Sequence, residues 1–192
     1  MNLSLLSYLL DNTERGLGSS EQDYILMYAI ARAFQVKRVL EIGTNKGLSA
    51  YTFCQAVLDN GGTPEIVTVD NWAQGDRREH AEHLFRAAEV NRYIRMVSGE
   101  STTVVPTLGA DLGGFDLCLI DGGHGTEQCL ADFHACKLLA PLLLFHDSLT
   151  AGVKAALQTV TREGWRVQGF PTRYVEGDGH GVGIALATRP TE

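Results

Sequence analysis

Val39-Leu40-Glu41-Ile42-Gly43-Thr44-Asn45-Lys46-Gly47-Leu48-Ser49-Ala50 joins an apolar strand to a helix through a turn marked by two glycines. Val39 to Ile42 suits a strand buried on both faces of a parallel sheet. Gly43 and Gly47 let the backbone turn tightly and approach a ligand without a Cβ in the way. Glu41 places a carboxylate near the end of that strand, and this charge bears on which ligand the turn receives.

A dinucleotide-binding turn reads G-x-G-x-x-G, because its middle glycine admits a pyrophosphate onto the helix N-terminus. Asn45 occupies that middle position, so the pattern is E-x-G-x-x-x-G. A negative Glu41 repels a diphosphate and suits a cationic nucleoside. S-adenosylmethionine (SAM) carries a sulfonium and an ammonium group that Glu41 is expected to favour, directly or by ordering the loop.

Outward from this turn, strands alternate with helices. Ser20-Glu21-Gln22-Asp23 is a capping-box pattern ahead of a helix from Tyr24 to Phe34. After the turn, Leu48 to Leu58 reads as a helix and Ile66 to Val69 as a strand closed by Asp70. A helix over Glu79–Val90, a strand over Tyr93–Val97 and a short helix before Gly113-Gly114 follow. The apolar run Phe115 to Ile120 delivers Asp121, Glu127–Leu139 is helical, Leu142–Phe145 delivers His146 and Asp147, and Val153–Arg162 is helical. Trp165–Phe170 and Gly181–Ala187, joined by a turn-rich stretch, read as an antiparallel hairpin.

This pattern predicts an α/β fold: a Rossmann-like, doubly wound, mostly parallel seven-stranded sheet ending in an antiparallel hairpin. One domain over residues 1–192 is expected, with an N-terminal helical cap over 1–35 and the Rossmann-like core over 36–192. Ligands of such sheets bind beyond the carboxyl ends of the strands. Glu41, Asp70, Glu100, Asp121 and Asp147 each fall at or after an apolar strand, which gathers carboxylates along one edge.

Composition narrows the partners. The 192 residues carry a net charge of −7, which argues against a broad nucleic-acid surface. Hydrophobic content of 44% and charged content of 20% are those of an ordinary globular protein. Cys54, Cys118, Cys129 and Cys136 show no C-x-x-C spacing and read as reduced, buried thiols. The N-terminal apolar run is too short to span a bilayer and has no basic leader, so a cytoplasmic location without membrane attachment is expected.

On these residues the chain resembles the class I SAM-dependent methyltransferases. EIGTNKGLSA (41–50) is similar to the E-I-G-x-x-x-G-x-S-A signature of catechol and caffeoyl-CoA type O-methyltransferases. FDLCLIDGGHGTEQCLADFHACKLL, then LLLFHDS and GVKAAL, resemble the I-D-G-x-H and H-D blocks of a bacterial methyltransferase group that includes sugar O-methyltransferases. One departure is the connection at Pro141, which runs directly into Leu142 where the family usually has Pro-Gly-Gly, so this turn must be rebuilt.

The resemblance implies that Glu41, Gly43 and Gly47 line the methionine end of SAM, with Thr44, Asn45 and Ser49 nearby. It implies that Asp70 takes the ribose beside Asn71 and Trp72, and that Gly99, Glu100 and Ser101 hold the adenine edge, Ser101 as the hydrogen-bonding residue. Trp72 either stacks on adenine or packs. Asp121 is implied as a metal ligand at the cofactor's reactive end. His124 stands at the position of the base, with an unperturbed pKa of about 6.5 that suits a proton acceptor at neutral pH; a helix cap is its structural alternative. Asp147 and His146 complete the implied site for Mg²⁺ or Mn²⁺. His80, His83, His134 and His180 have no such context and read as surface or core residues, with His180 also placed to border a substrate.

The implied activity is methyl transfer to a hydroxyl of a small-molecule acceptor; 192 residues leave little room for a large lid, so a homodimer in which a partner chain completes the pocket is expected. Two other readings remain at this point: a SAM-binding module without turnover, and a nicotinamide-dependent oxidoreductase, against which Asn45 counts.

Overall fold

The computed structural model describes residues 19–73, 75–174 and 181–189. The first described helix, α1 (Glu21–Ala33), starts at a capping box in which Ser20 accepts from the Asp23 amide and Asp23 accepts from the Ser20 amide. The remainder alternates: β1 (Arg38–Ile42), α2 (Leu48–Asp59), β2 (Glu65–Asp70), α3 (Arg77–Ala87), β3 (Ile94–Ser98), α4 (Ser101–Leu112), β4 (Leu117–Ile120), α5 (Thr126–Cys136), β5 (Leu142–Phe145), α6 (Ala151–Arg162), β6 (Arg166–Tyr174) and β7 (Gly181–Thr188).

The strands form one seven-stranded sheet in the order β3-β2-β1-β4-β5-β7-β6. The first five neighbours pair in parallel, while β7 runs antiparallel to both β5 and β6. Alternation along each strand divides the core. Val39, Leu117 and Leu119 join Phe53 of α2 and Phe85 of α3 on one face, beneath α1. Leu40, Ile42, Cys118 and Ile120 join Val105 of α4, Phe133 of α5 and Val160 of α6 on the other. Each fully buried Leu or Phe stabilises the sandwich by about 1.5–3 kcal/mol, so the central strands are apolar on both faces.

Several boundaries differ from the periodic reading. Helix α3 starts at Arg77 and ends at Ala87 rather than spanning Glu79–Val90, because Glu89 turns into the left-handed region at φ +56°. Helix α5 ends at Cys136, leaving Leu138 80% exposed. β4 starts at Leu117 rather than Phe115 because Asp116 instead accepts the Lys37 and Arg38 amides at 2.8 and 2.9 Å. β6 extends to Tyr174 across an irregularity between Pro171 and Arg173, and the segment 175–180 with His180 lies outside the described residues, as do positions 1–18 of the expected cap. The shortened connection at Pro141 is accommodated: Leu117–Ile120 still pair in register with Leu142–Phe145.

β1 is the point of reversal. Its chain neighbour β2 lies on one side and β4 on the other, so the loops after β1 and β4 diverge and leave a crevice at their carboxyl ends.

Candidate active site

The crevice holds about 510 Å³ and is lined by the turns after β1, β2, β3, β4 and β5. Gly43 has φ +92°, and a Cβ on it would collide with the Asp121 carbonyl. Glycine is required there for two reasons at once, backbone conformation and the close approach of β1's end to β4's. Gly47, also left-handed at φ +86°, faces the core instead: its missing Cβ makes room for the Phe85 ring and Ala81.

Glu41 is placed differently from the expectation. It lies within β1, completely buried, where its carboxyl accepts from the hydroxyls of Ser49 and Thr68. Thr68 in turn shares a hydrogen bond with Thr44. Burial pushes the Glu41 carboxyl up to about 8, against the lowering effect of those hydroxyls. Of its two expected roles, direct contact with the cation and ordering of the loop, its position behind the crevice and its bonds to Ser49 and Thr68 fit the second. Glu41, Thr44, Gly47 and Ser49 sit behind the crevice wall and order the loop; Gly43 and Asn45 form the wall.

Asp70 organises the next stretch. One carboxylate oxygen accepts the amides of Thr44 and Asn45 at 2.9 and 3.0 Å, and the other accepts the Trp72 amide at 2.8 Å. The carboxylate thus clamps the glycine turn to the end of β2 while still facing the crevice. Asn71 donates to Glu100 at 3.0 Å, linking the β2 and β3 loops. Trp72 is half-buried against the core, with Arg78 over its ring at 6.0 Å, and also lines the crevice. Gly99, Glu100 and Ser101 close that end.

At the opposite end, the equal register of β4 and β5 brings Asp121, His146 and Asp147 together. His124 Nε2 lies 3.0 Å from Asp147 Oδ2 and 3.8 Å from Asp121 Oδ1. These contacts, Asp121's and then Asp147's, raise the His124 imidazole to about 10. With these contacts it is an imidazolium at neutral pH, so the expected value near 6.5 does not hold. The neutral helix cap also fails, since the residue capping α5 is Gly125 and no side chain bonds to the helix start.

His146 is buried, with Nδ1 3.2 Å from Asp121 and 3.4 Å from Asp147, and Nε2 3.5 Å from Asp23 on α1. Neither nitrogen makes a well-directed hydrogen bond. Burial opposes its charge, but three surrounding carboxylates outweigh burial and raise its pKa well above normal. The Asp121 and Asp147 carboxyls, also pushed up by burial, are carried below their usual range by His146 and His124.

The donor set fits a hard divalent cation. Ligand atoms from Asp121, His124 and Asp147 lie within 4.8 Å of one another, and the orphaned His146 Nδ1 faces the same carboxylates. His80, His83 and His134 are exposed and stand apart; His80 pairs with Asp76 and His134 with Glu163.

The sequence pattern missed several crevice residues: Ser19, Arg77, Gln128 and Asp132. Asp132 is fully buried, and Ser101 and Gln128 both donate to it. Its sequence signal was a lone acid next to Phe133 on a helix face built from Cys129, Phe133 and Cys136.

Residues 40–148 match a protein family described as a methyltransferase domain. An uncharacterized protein of Sinorhizobium fredii is 33% identical over 129 residues, covering 62% of this chain and 14% of its own length. A catechol O-methyltransferase of Mycobacterium tuberculosis is 28% identical over 181 residues, 76% of each chain. The chain thus spans a small part of the first relative and about three quarters of the second. Among solved structures, the O-methyltransferase TomG of Streptomyces achromogenes, in complex with SAM, superimposes with a TM-score of 0.75 at 20% identity, over 97% of this chain and 90% of that one. That likeness shows the shared fold. With a matched domain over more than half its length and a crevice at the switch point of this sheet, the chain belongs to the methyltransferase domain family.

Proposed function

We propose that the chain transfers the SAM methyl group to a hydroxyl oxygen of a small molecule, with a divalent cation at Asp121 and Asp147 and His124 as the proton acceptor. The observation that carries this reading is a single crevice with two chemically distinct ends. One end, at Asp70 and Gly99 to Ser101, offers acceptors for a nucleoside; the other gathers carboxylates and imidazoles. In this reading Asp70 takes the ribose hydroxyls, Ser101 the adenine edge, and the turn at Gly43 and Asn45 the methionine portion. The O–CH₃ bond forms as the S–CH₃ bond breaks, the hydroxyl proton is lost, and S-adenosylhomocysteine leaves.

Asp121 and Asp147 would hold Mg²⁺ or Mn²⁺, with His146 Nδ1 beside both carboxylates. A cation bound there would supply Lewis acidity to the acceptor hydroxyl. His124, 3.0 Å from Asp147, would take the hydroxyl proton in its neutral form. EDTA is expected to abolish turnover and Mn²⁺ or Mg²⁺ to restore it; activity indifferent to chelation removes these residues from the role. A calorimetric titration that detects neither SAM nor S-adenosylhomocysteine binding overturns the whole reading.

The proton held on His124 favours one alternative, a SAM-binding module without turnover. An acceptor screen that includes catechols and sugars decides between them. The reading also includes a homodimer whose second copy covers the open acceptor side. Light scattering on the purified chain tests this, and a monomer mass at working concentration removes it.

A further inference from the structure

The cluster around Asp132 fixes the direction of hydrogen bonds at one end of the crevice. Asp132 sits on α5 with its side chain fully buried, and one of its oxygens, Oδ1, receives two donors. The Ser101 hydroxyl donates to it, and the Gln128 amide nitrogen donates at 3.0 Å. Gln128 Nε2 also lies 3.4 Å from Ser101 Oγ, so the three groups form one network. The second oxygen, Oδ2, is buried with no partner and lies where a Cβ on Gly122 would meet it at 3.2 Å.

A carboxylate oxygen in this position accepts hydrogen bonds, and that polarity propagates. A serine hydroxyl has one proton, and here it is committed inward; what Ser101 turns to the crevice is a lone pair. A glutamine amide has one donor end and one acceptor end, and with Nε2 held inward the remaining end of Gln128 is Oε1. Both residues line the crevice next to Gly99 and Glu100. Without a buried acceptor behind them, the hydroxyl would rotate and the amide would flip at little cost, and the same patch would read donor or acceptor indifferently.

We infer that Asp132 is a specificity-determining positioning residue, which forces Ser101 and Gln128 to present acceptors and so selects a base bearing an exocyclic amine over one bearing a carbonyl. Adenine satisfies this and hypoxanthine does not: its 6-oxo group meets two facing acceptors. The inference rests on the proposed seating of the nucleoside at Gly99 to Ser101. It goes beyond that seating by assigning the choice of base to Asp132, acting through Ser101 and Gln128.

The test is calorimetry on the full chain with two probes, S-adenosylhomocysteine and its 6-oxo analogue S-inosylhomocysteine. The native chain is expected to prefer the amine by at least about tenfold, since a site left with unpaired polar groups rejects the wrong partner strongly. Asp132→Leu, of similar shape without the acceptor, is expected to bring the ratio toward one mainly by improving the analogue. Asp132→Asn keeps an acceptor oxygen and is expected to keep the preference. Should Asp132→Leu fail to fold, Gln128→Ala at an exposed position is expected to weaken S-adenosylhomocysteine and to improve the analogue, which loses one facing acceptor. Equal affinities in the native chain, or a preference untouched by Asp132→Leu, overturn the inference while leaving the seating intact. Loss of all binding in the native chain overturns the seating itself.

Discussion

At the residue scale, burial decides what each carboxylate does. Glu41 and Asp121 both sit at the end of the central strands, yet Glu41 meets only hydroxyls and rises to about 8, whereas Asp121 meets imidazoles and falls below its usual range. A raised Glu41 stabilises the fold while protonated, so that contribution is complete below the unfolded value near 4.5 and is lost as pH rises through about 8. Glu41→Gln, permanently neutral, is therefore expected to match the native chain near pH 5 and to exceed it increasingly toward pH 8. Thermal melts of the ligand-free protein read the gap, each kcal/mol appearing as about 2–4 °C; a gap that does not widen with pH contradicts the account. His124→Ala is expected to lower turnover by about 10²–10⁴-fold while S-adenosylhomocysteine affinity stays within a few-fold, as measured by initial rates and calorimetry. The residues at strand ends were legible because a polar residue that closes an apolar run marks where the strand leaves the sheet. The charge state of Glu41 and His124 was not, since it depends on burial within the sheet in one case and on Asp121 and Asp147 in the other, surroundings that only the folded sheet provides.

At the element scale, the turns carry the site. Gly43→Ala adds left-handed strain and drives a methyl into the Asp121 carbonyl, so it is expected to abolish S-adenosylhomocysteine binding and lower Tm sharply. Gly61→Ala, with φ +73° and nothing within 4 Å, isolates the strain alone, expected at about 1 kcal/mol. Gly152 in the first turn of α6 braces the loop after β4: its Cβ would strike the His124 carbonyl, and Thr126 already bonds to its carbonyl at 3.1 Å. Gly152→Ala is expected to cut turnover by about a hundredfold through displacement of His124, a retained rate being the contrary result. Elements with strong apolar periodicity, such as β1 and α2, were readable from the chain because both faces of the sheet demand it. The end of α3 was not, because Glu89 stops that helix by backbone geometry, with no glycine or proline to announce it.

At the scale of the whole molecule, a sheet reversed at β1 collects the loops of five strands around one opening. A ligand there touches both halves of the chain, so S-adenosylhomocysteine at a hundred times its Kd is expected to raise Tm on the order of 5–10 °C. The alternation of strands and helices made the mostly parallel sheet and its closing antiparallel hairpin legible, but not the insertion of β7 between β5 and β6. Asp132 was not legible, because its role exists only through Ser101 and Gln128 on separate turns.

The most direct measurement is a crystal structure grown with S-adenosylhomocysteine and Mn²⁺. The account predicts adenine beside Ser101 and Gln128, ribose hydroxyls on Asp70, the sulfur turned toward His124, and an anomalous manganese peak between Asp121 and Asp147. An empty crevice beside Gly43, or a ligand whose sulfur points away from those carboxylates, contradicts it.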